Sequence, residues 1–208
     1  MSQKDLIQHA LEGAMDYPTY RDTVAAQARE GRTSGPEQTE SLIHYTKLNH
    51  QRMKRWDRTF RLGEDLKVAL DQGVEAIWLV FTETWCGDAA PILPIMEALA
   101  SYCPGLSLKI AYRDQHLELM EHYRTDGALA IPKLLVLNRE GTEVTESWGP
   151  RPEPLMDQVR AFKAAHGKLT PEFRESLQRW YNKDKGQAAA AELAALLTLK
   201  DVGNGALL

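Results

Sequence analysis

The chain has 208 residues, 43% hydrophobic and 26% charged, with a formal net charge of −4. That is enough chain for a sizeable core, in one domain with extensions or two small ones, and the composition excludes overall disorder. A weak negative charge with scattered lysines and arginines gives no case for nucleic acid or an anionic membrane as partner. The longest apolar run, Ala76 to Phe81, falls far short of the roughly 20 residues that cross a bilayer. Met1 to Tyr17 is polar and amphipathic and lacks the apolar centre of a signal peptide, so the sequence points to the cytoplasm. The two cysteines, Cys86 and Cys103, make no disulfide framework and suit a reducing compartment.

The first third reads as helical. Asp5 to Leu11 has helical apolar spacing, with Gly13 as its stop. Thr19 followed by Asp22 resembles a capping arrangement for a helix to Glu30, ended by Gly31. Thr33-Ser34-Gly35 is a break, and Pro36 suits the first turn of a helix running to about Arg61. Leu42, Tyr45, Leu48 or Asn49, Met53, Trp56 and Phe60 would form its apolar stripe, and the basic stretch Arg52 to Arg61 its solvated face. A short helix, Glu64 to Gln72, ends at Gly73.

The pattern then changes. Glu75 to Thr82 reads as a buried strand, and Asp88 to Ser101 as a helix that Pro94 would kink unless the helix starts later. Leu106 to Tyr112 is a strand, Gln115 to Arg124 a helix, and Lys133 to Leu137 a second apolar strand. Glu143 to Trp148 completes a hairpin across the turn Asn138 to Gly141, and Glu153 to Ala165 is an amphipathic helix. The order predicts an α/β sandwich over residues 74–167. It is flanked by a helical N-terminal extension, 1–73, that packs on the core, and a helical C-terminal extension, 168–208, with a frayed end at Gly203-Asn204-Gly205.

Cys86 falls between a buried strand and a helix N-terminus. Unpaired backbone N–H groups and the positive end of the helix dipole favour a thiolate there, which makes Cys86 a candidate nucleophile. The competing reading is a packed, unreactive cysteine. Asp88 either points inward and raises the thiol pKa, or decorates a helix start where acids are favourable. A helix of ~15 residues would hold Cys103 on the order of 20 Å from Cys86, too far for a disulfide. Arg113 and Asp114 follow a strand end, and Trp148 and Arg151 follow the hairpin. All four are expected to form surface ion pairs or aromatic packing. No Cys-x-x-Cys or His-x-x-x-His pair and no phosphate-binding glycine loop occurs, so neither a metal nor a cofactor is expected.

Trp85-Cys86-Gly87-Asp88-Ala89, the segment Ala130-Ile131-Pro132-Lys133-Leu134-Leu135 and the later Gly149 together resemble the thioredoxin family. The likeness is to a single-cysteine bacterial subgroup with a helical leader, and it covers about Glu75 to Ala165. It implies a thioredoxin-like three-layer α/β sandwich with Cys86 as the attacking group. It also implies a cis Pro132 beside the sulfur, where an ordinary trans proline at a strand start is the alternative, and Ile131 as the residue whose backbone meets substrate. The departures are Ala89 where a resolving cysteine stands and Val80 where a buried acid assists it. The implied function is monothiol thiol–disulfide exchange on a protein or low-molecular-weight disulfide, released by an external thiol such as glutathione or an analogue. The alternative is a catalytically silent peptide-binding or adaptor module.

Overall fold

The computed structural model describes residues 1–71 and 75–198. Strand β1 (Ala76–Thr82) is central because it is apolar on both faces, with every residue but Ile77 buried. Such a strand needs cover on both sides and partners on both edges. β2 (Leu106–Tyr112) pairs with it in parallel, Val80 facing Ile110. β3 (Lys133–Leu137) pairs antiparallel on the other edge, Val80 facing Leu134. β4 (Val144–Trp148) closes a hairpin on β3, so the order among the described residues is β2-β1-β3-β4. The outer edge of β2 is partly covered, because Met15 and Ile110 exchange both backbone hydrogen bonds at 2.8 Å.

The helix after β1, α5 (Ala89–Tyr102), is buried almost all round. It lies on β2 and carries α3 (Glu40–Thr59) and α9 (Gln187–Thr198) on its other sides. A helix placed so presents little polar surface: Ala89 to Met96 are all apolar and buried, and its polar residues, Glu97, Ser101 and Tyr102, lie in its second half. α2 (Tyr17–Glu30) packs on α3 and β2, and α1 (Gln3–Glu12) on β2 and α6 (Leu117–Glu121). α4 (Glu64–Leu70) packs on α9. α7 (Glu153–His166) and α8 (Pro171–Asp184) follow the hairpin. This is the α/β sandwich with helical flanks that the element order predicts.

Several boundaries differ from the sequence reading, each for a local reason. α1 starts two residues early, where Ser2 and Asp5 form a reciprocal capping box. α2 is capped by Asp16, whose carboxylate accepts the Thr19 N–H at 2.9 Å, so Thr19 is inside the helix. Pro36 opens no helix. α3 begins at Glu40 on a Thr39 cap and ends at Thr59. The helix expected over residues 115–124 is shorter, with a 3-10 turn at Arg113–Gln115 before α6. α5 runs unbroken past Pro94. The expected stop at Gly73 and the expected fraying at Gly203-Asn204-Gly205 lie outside the described residues.

The stripe on α3 holds from Asn49 through Met53, Trp56 and Phe60 and is displaced before that. Its buried residues are Thr46, Asn49, Met53 and Trp56, whereas Leu42, Tyr45 and Leu48 are only half-buried. The cause is polar. Thr46 shares hydroxyl hydrogen bonds with Thr33 and Thr84, and the Asn49 side-chain amide donates to the Thr84 carbonyl at 3.0 Å. Replacing Asn49 by Ala leaves that buried carbonyl unpaired and is expected to cost about 1–3 kcal/mol in chemical denaturation. Lys47→Ala, on the exposed face, should stay within about 0.5 kcal/mol. Indistinguishable midpoints for the two variants would mean that α3 docks through its apolar contacts alone.

Candidate active site around Cys86

The chain leaves β1 through Glu83 and Thr84, both buried. The leader loop holds this turn from outside. The Ser34 N–H donates to the Thr84 hydroxyl at 3.0 Å, and the Thr84 N–H donates to the Ser34 hydroxyl at 2.8 Å. The Ser34 hydroxyl also donates to Glu83, whose other carboxylate oxygen accepts the Asp114 N–H at 3.0 Å. Burial raises the Glu83 pKa, and these two donors work against the rise. Trp85 is half-buried, with the Arg113 guanidinium 5.1 Å from its ring centroid. Arg113 in turn pairs with Asp114 at 2.7 Å.

Cys86 follows, 6% exposed, and its Sγ donates to the Ile131 carbonyl at 3.3 Å. The Ile131–Pro132 peptide bond is cis. Gly149 crosses directly over this segment with φ near 109°, and a Cβ there would sit 2.3 Å from the Pro132 carbonyl oxygen. Both the conformation and the close approach require glycine.

Two sets of charges compete at the sulfur. Burial pushes the Cys86 pKa up, the Asp88 carboxylate adds to the rise, and together they take it to about 12. The Ala89 and Asp88 backbone N–H groups and the Arg151 guanidinium oppose them and lose. A helix start alone would give the opposite sign. The difference comes first from burial of the sulfur and then from Asp88. Asp88 stands at the N-cap position of α5 yet makes no capping bond. Its carboxylate, in a residue only 8% exposed, instead accepts from Arg151 Nη2 at 2.6 Å and from the Tyr181 hydroxyl at 3.2 Å. Of the two readings of Asp88, the inward one is realised.

The predicted residues Trp85, Cys86, Gly87, Asp88 and Ile131 come together on one wall of a cavity of about 620 Å³. Ala89 and Val80 are fully enclosed, and Cys103 caps the far end of α5. Arg151 was expected at the surface and is instead half-buried against Asp88. Arg52, expected on a solvated face, turns into the cavity and bonds Asn49 Oδ1 at 3.1 Å. The opposite wall comes from α3, through Leu42, Tyr45 and Leu48, and from α8, through Arg174, Leu177 and Gln178. Gln178 donates to the Gly87 carbonyl at 2.9 Å. The α8 residues were missed because an amphipathic helix has no local sign of what it covers. Among the described residues no group of three or more His, Cys, Asp or Glu side chains is placed to hold a metal, and no helix is long and apolar enough to cross a membrane.

Comparison with known proteins fits this geometry. A family model described as thioredoxin matches residues 35–165. An H-type thioredoxin of Fagopyrum esculentum is 29% identical over 108 residues, covering 52% of this chain and 85% of the relative. In fold, the chain is similar to a protein of unknown function from Pseudomonas aeruginosa, with a TM-score of 0.62, 16% identity, and coverage of 89% of this chain and 93% of that one. It is also similar to an HIV epitope-scaffold, with a TM-score of 0.55, 18% identity, and coverage of 87% and 96%. At those identities the two structures speak to fold alone.

The charges around Cys86 predict its chemistry. In a Cys103→Ser background, alkylation of Cys86 should climb about tenfold per pH unit with no plateau by about pH 10, because the thiolate is scarce throughout that range. Asp88→Asn removes the opposing charge and leaves Arg151, so the same curve should move to lower pH. An inflection near the ordinary thiol value of about 8.5 in the parent protein would contradict this account.

Proposed function

The chain belongs to the thioredoxin family, and on that premise we propose that it is a monothiol thiol–disulfide exchange protein that captures small disulfides through Cys86. Cys86 attacks one sulfur of R–S–S–R, giving Cys86–S–S–R and RSH, with the cysteine proton passing to the departing thiolate. An external thiol such as glutathione or an analogue then attacks the R sulfur. It becomes R′–S–S–R and Cys86 recovers its proton. The observation that carries this reading is the position of the sulfur, on the cavity wall with the Asp88 and Ala89 amides directed at it.

The raised pKa shapes the reaction rather than abolishing it. A scarce thiolate attacks slowly, and a thiolate of high pKa is also a poor leaving group. The mixed disulfide therefore forms slowly and persists, and Ala89 supplies no internal thiol to cleave it. The cavity walls from α3 and α8 favour a small partner over an extended peptide, since the Ile131 carbonyl is already engaged by Cys86. Cys86 and Cys103 are both free, and a reducing compartment such as the cytoplasm suits release by external thiol.

The second reading is a silent binding module, and the same burial of the thiol favours it. Intact mass separates the two. Cys103→Ser protein incubated with excess hydroxyethyl disulfide should gain one mercaptoethanol adduct. That adduct should be absent in a Cys86→Ser, Cys103→Ser double variant, survive removal of the reagent, and be reversed by excess thiol. No adduct in folded protein, with adduct formation in denaturant, would decide for the silent module.

A further inference from the structure

The charges lining the Cys86 cavity do not balance. Asp88 is spent on Arg151 at 2.6 Å, and Glu175 on Arg179, also at 2.6 Å. Arg52 and Arg174 remain, and among the described residues neither has a carboxylate within ion-pair distance. Arg52 is half-buried, and burial lowers its pKa. Its one side-chain hydrogen bond in the described structure goes to a neutral amide, Asn49. Arg174 approaches from α8, so the two guanidiniums come from opposite extensions of the chain and border one space. Leu48 and Leu177 add apolar surface to the same lining.

A partly desolvated guanidinium without a counter-ion is costly unless a ligand supplies one. Guanidinium also matches carboxylate in a two-point geometry. Resting on the exchange reading above, we propose that the disulfide captured at Cys86 is a small one carrying negatively charged carboxylates, gripped by Arg52 and Arg174 while its sulfur meets Cys86. The apolar surfaces then receive its methylene stem, and the cavity volume of about 620 Å³ limits it to low-molecular-weight compounds. The grip also explains how an anion enters beside Asp88, whose own charge is offset in part by Arg151.

Three disulfides of similar size and different charge test this: dithiodipropionate, hydroxyethyl disulfide and cystamine. Adduct formation at Cys86 in the Cys103→Ser protein is followed by mass at about pH 8. Dithiodipropionate should react about tenfold faster than hydroxyethyl disulfide, and cystamine slowest. Arg52→Gln and Arg174→Gln should each shrink the ratio of the dithiodipropionate rate to the hydroxyethyl disulfide rate from about tenfold towards one. Arg174 is exposed on α8, so its variant tests the idea without threatening the fold. Equal rates for the three reagents, or variants that slow all three alike, would overturn the anion grip and leave exchange at Cys86 standing. If no reagent reacts, exchange itself fails. The anion site is then read by calorimetry with thiodipropionate, a thioether that cannot exchange, on the Cys86→Ser protein. Binding that Arg174→Gln abolishes would support the site, and no binding would overturn it.

Discussion

The ion pair between Asp88 and Arg151 governs the electrostatics of the cavity. An aspartate at the start of a helix ordinarily turns back to accept a backbone N–H. Here it turns inward, because a half-buried guanidinium and a buried tyrosine hydroxyl offer better partners. Two consequences follow from that single rotation. The first-turn amides of α5 are left free to face Cys86, and a negative charge is fixed close to the sulfur. Arg151 offsets part of that charge, while burial adds to its effect. The thiol is consequently neutral at rest, against the usual expectation for a cysteine at a helix start.

The flanking helices complete the site. Gly87 lies between Arg52 of α3 and Gln178 of α8, each within van der Waals reach of where its Cβ would be. α8 contributes both the Gln178 bond to the Gly87 carbonyl and the Tyr181 bond to Asp88. The leader grips the same loop from its other end, through the reciprocal Ser34 and Thr84 bonds. The loop bearing Cys86 is thus tied to three segments distant in sequence. Covering the loop this way lowers its exposure to solvent and strengthens the charges buried with it. It also converts an open groove into a cavity of bounded volume.

The elements were legible in the sequence where the signal is local. β1 and β3 declare themselves as short apolar runs and β2 by its alternation, and Gly31 marks the end of α2 by its left-handed φ of 68°. Cys86 could be placed between strand and helix, and Ile131 and Pro132 beside it through the family likeness. What the sequence could not show is which residue a polar side chain meets across the fold. Asp88 had two admissible orientations until Arg151 and Tyr181 were placed. On α3, helical spacing left the stripe open between Leu48 and Asn49; Asn49 is the buried one, and Thr46, which the spacing passed over, also faces inward, because Thr33 and Thr84 supply hydrogen bonds there. Leu42, Tyr45 and Leu48 are apolar for a different reason, since they line the cavity. Periodicity reports that a helix has a face; it does not say whether that face meets core or ligand.

The missing second cysteine and the inward Asp88 make sense together. A resolving thiol needs an exposed path to the mixed disulfide and a group to take its proton. Position 89 is enclosed and holds a methyl group, and position 80, where an acid would assist, is the fully buried Val80. Asp88 disfavours the very thiolate that such a resolution step would expel. Each feature slows release from Cys86, and none of them prevents a disulfide from forming, because sulfur in a disulfide carries no charge for burial or Asp88 to oppose. The environment therefore favours the two neutral states, thiol and mixed disulfide, over the thiolate between them. On the proposed exchange reading, a site balanced in that way would hold a small partner until an outside thiol arrives, whereas rapid turnover would need the thiolate to be stabilised.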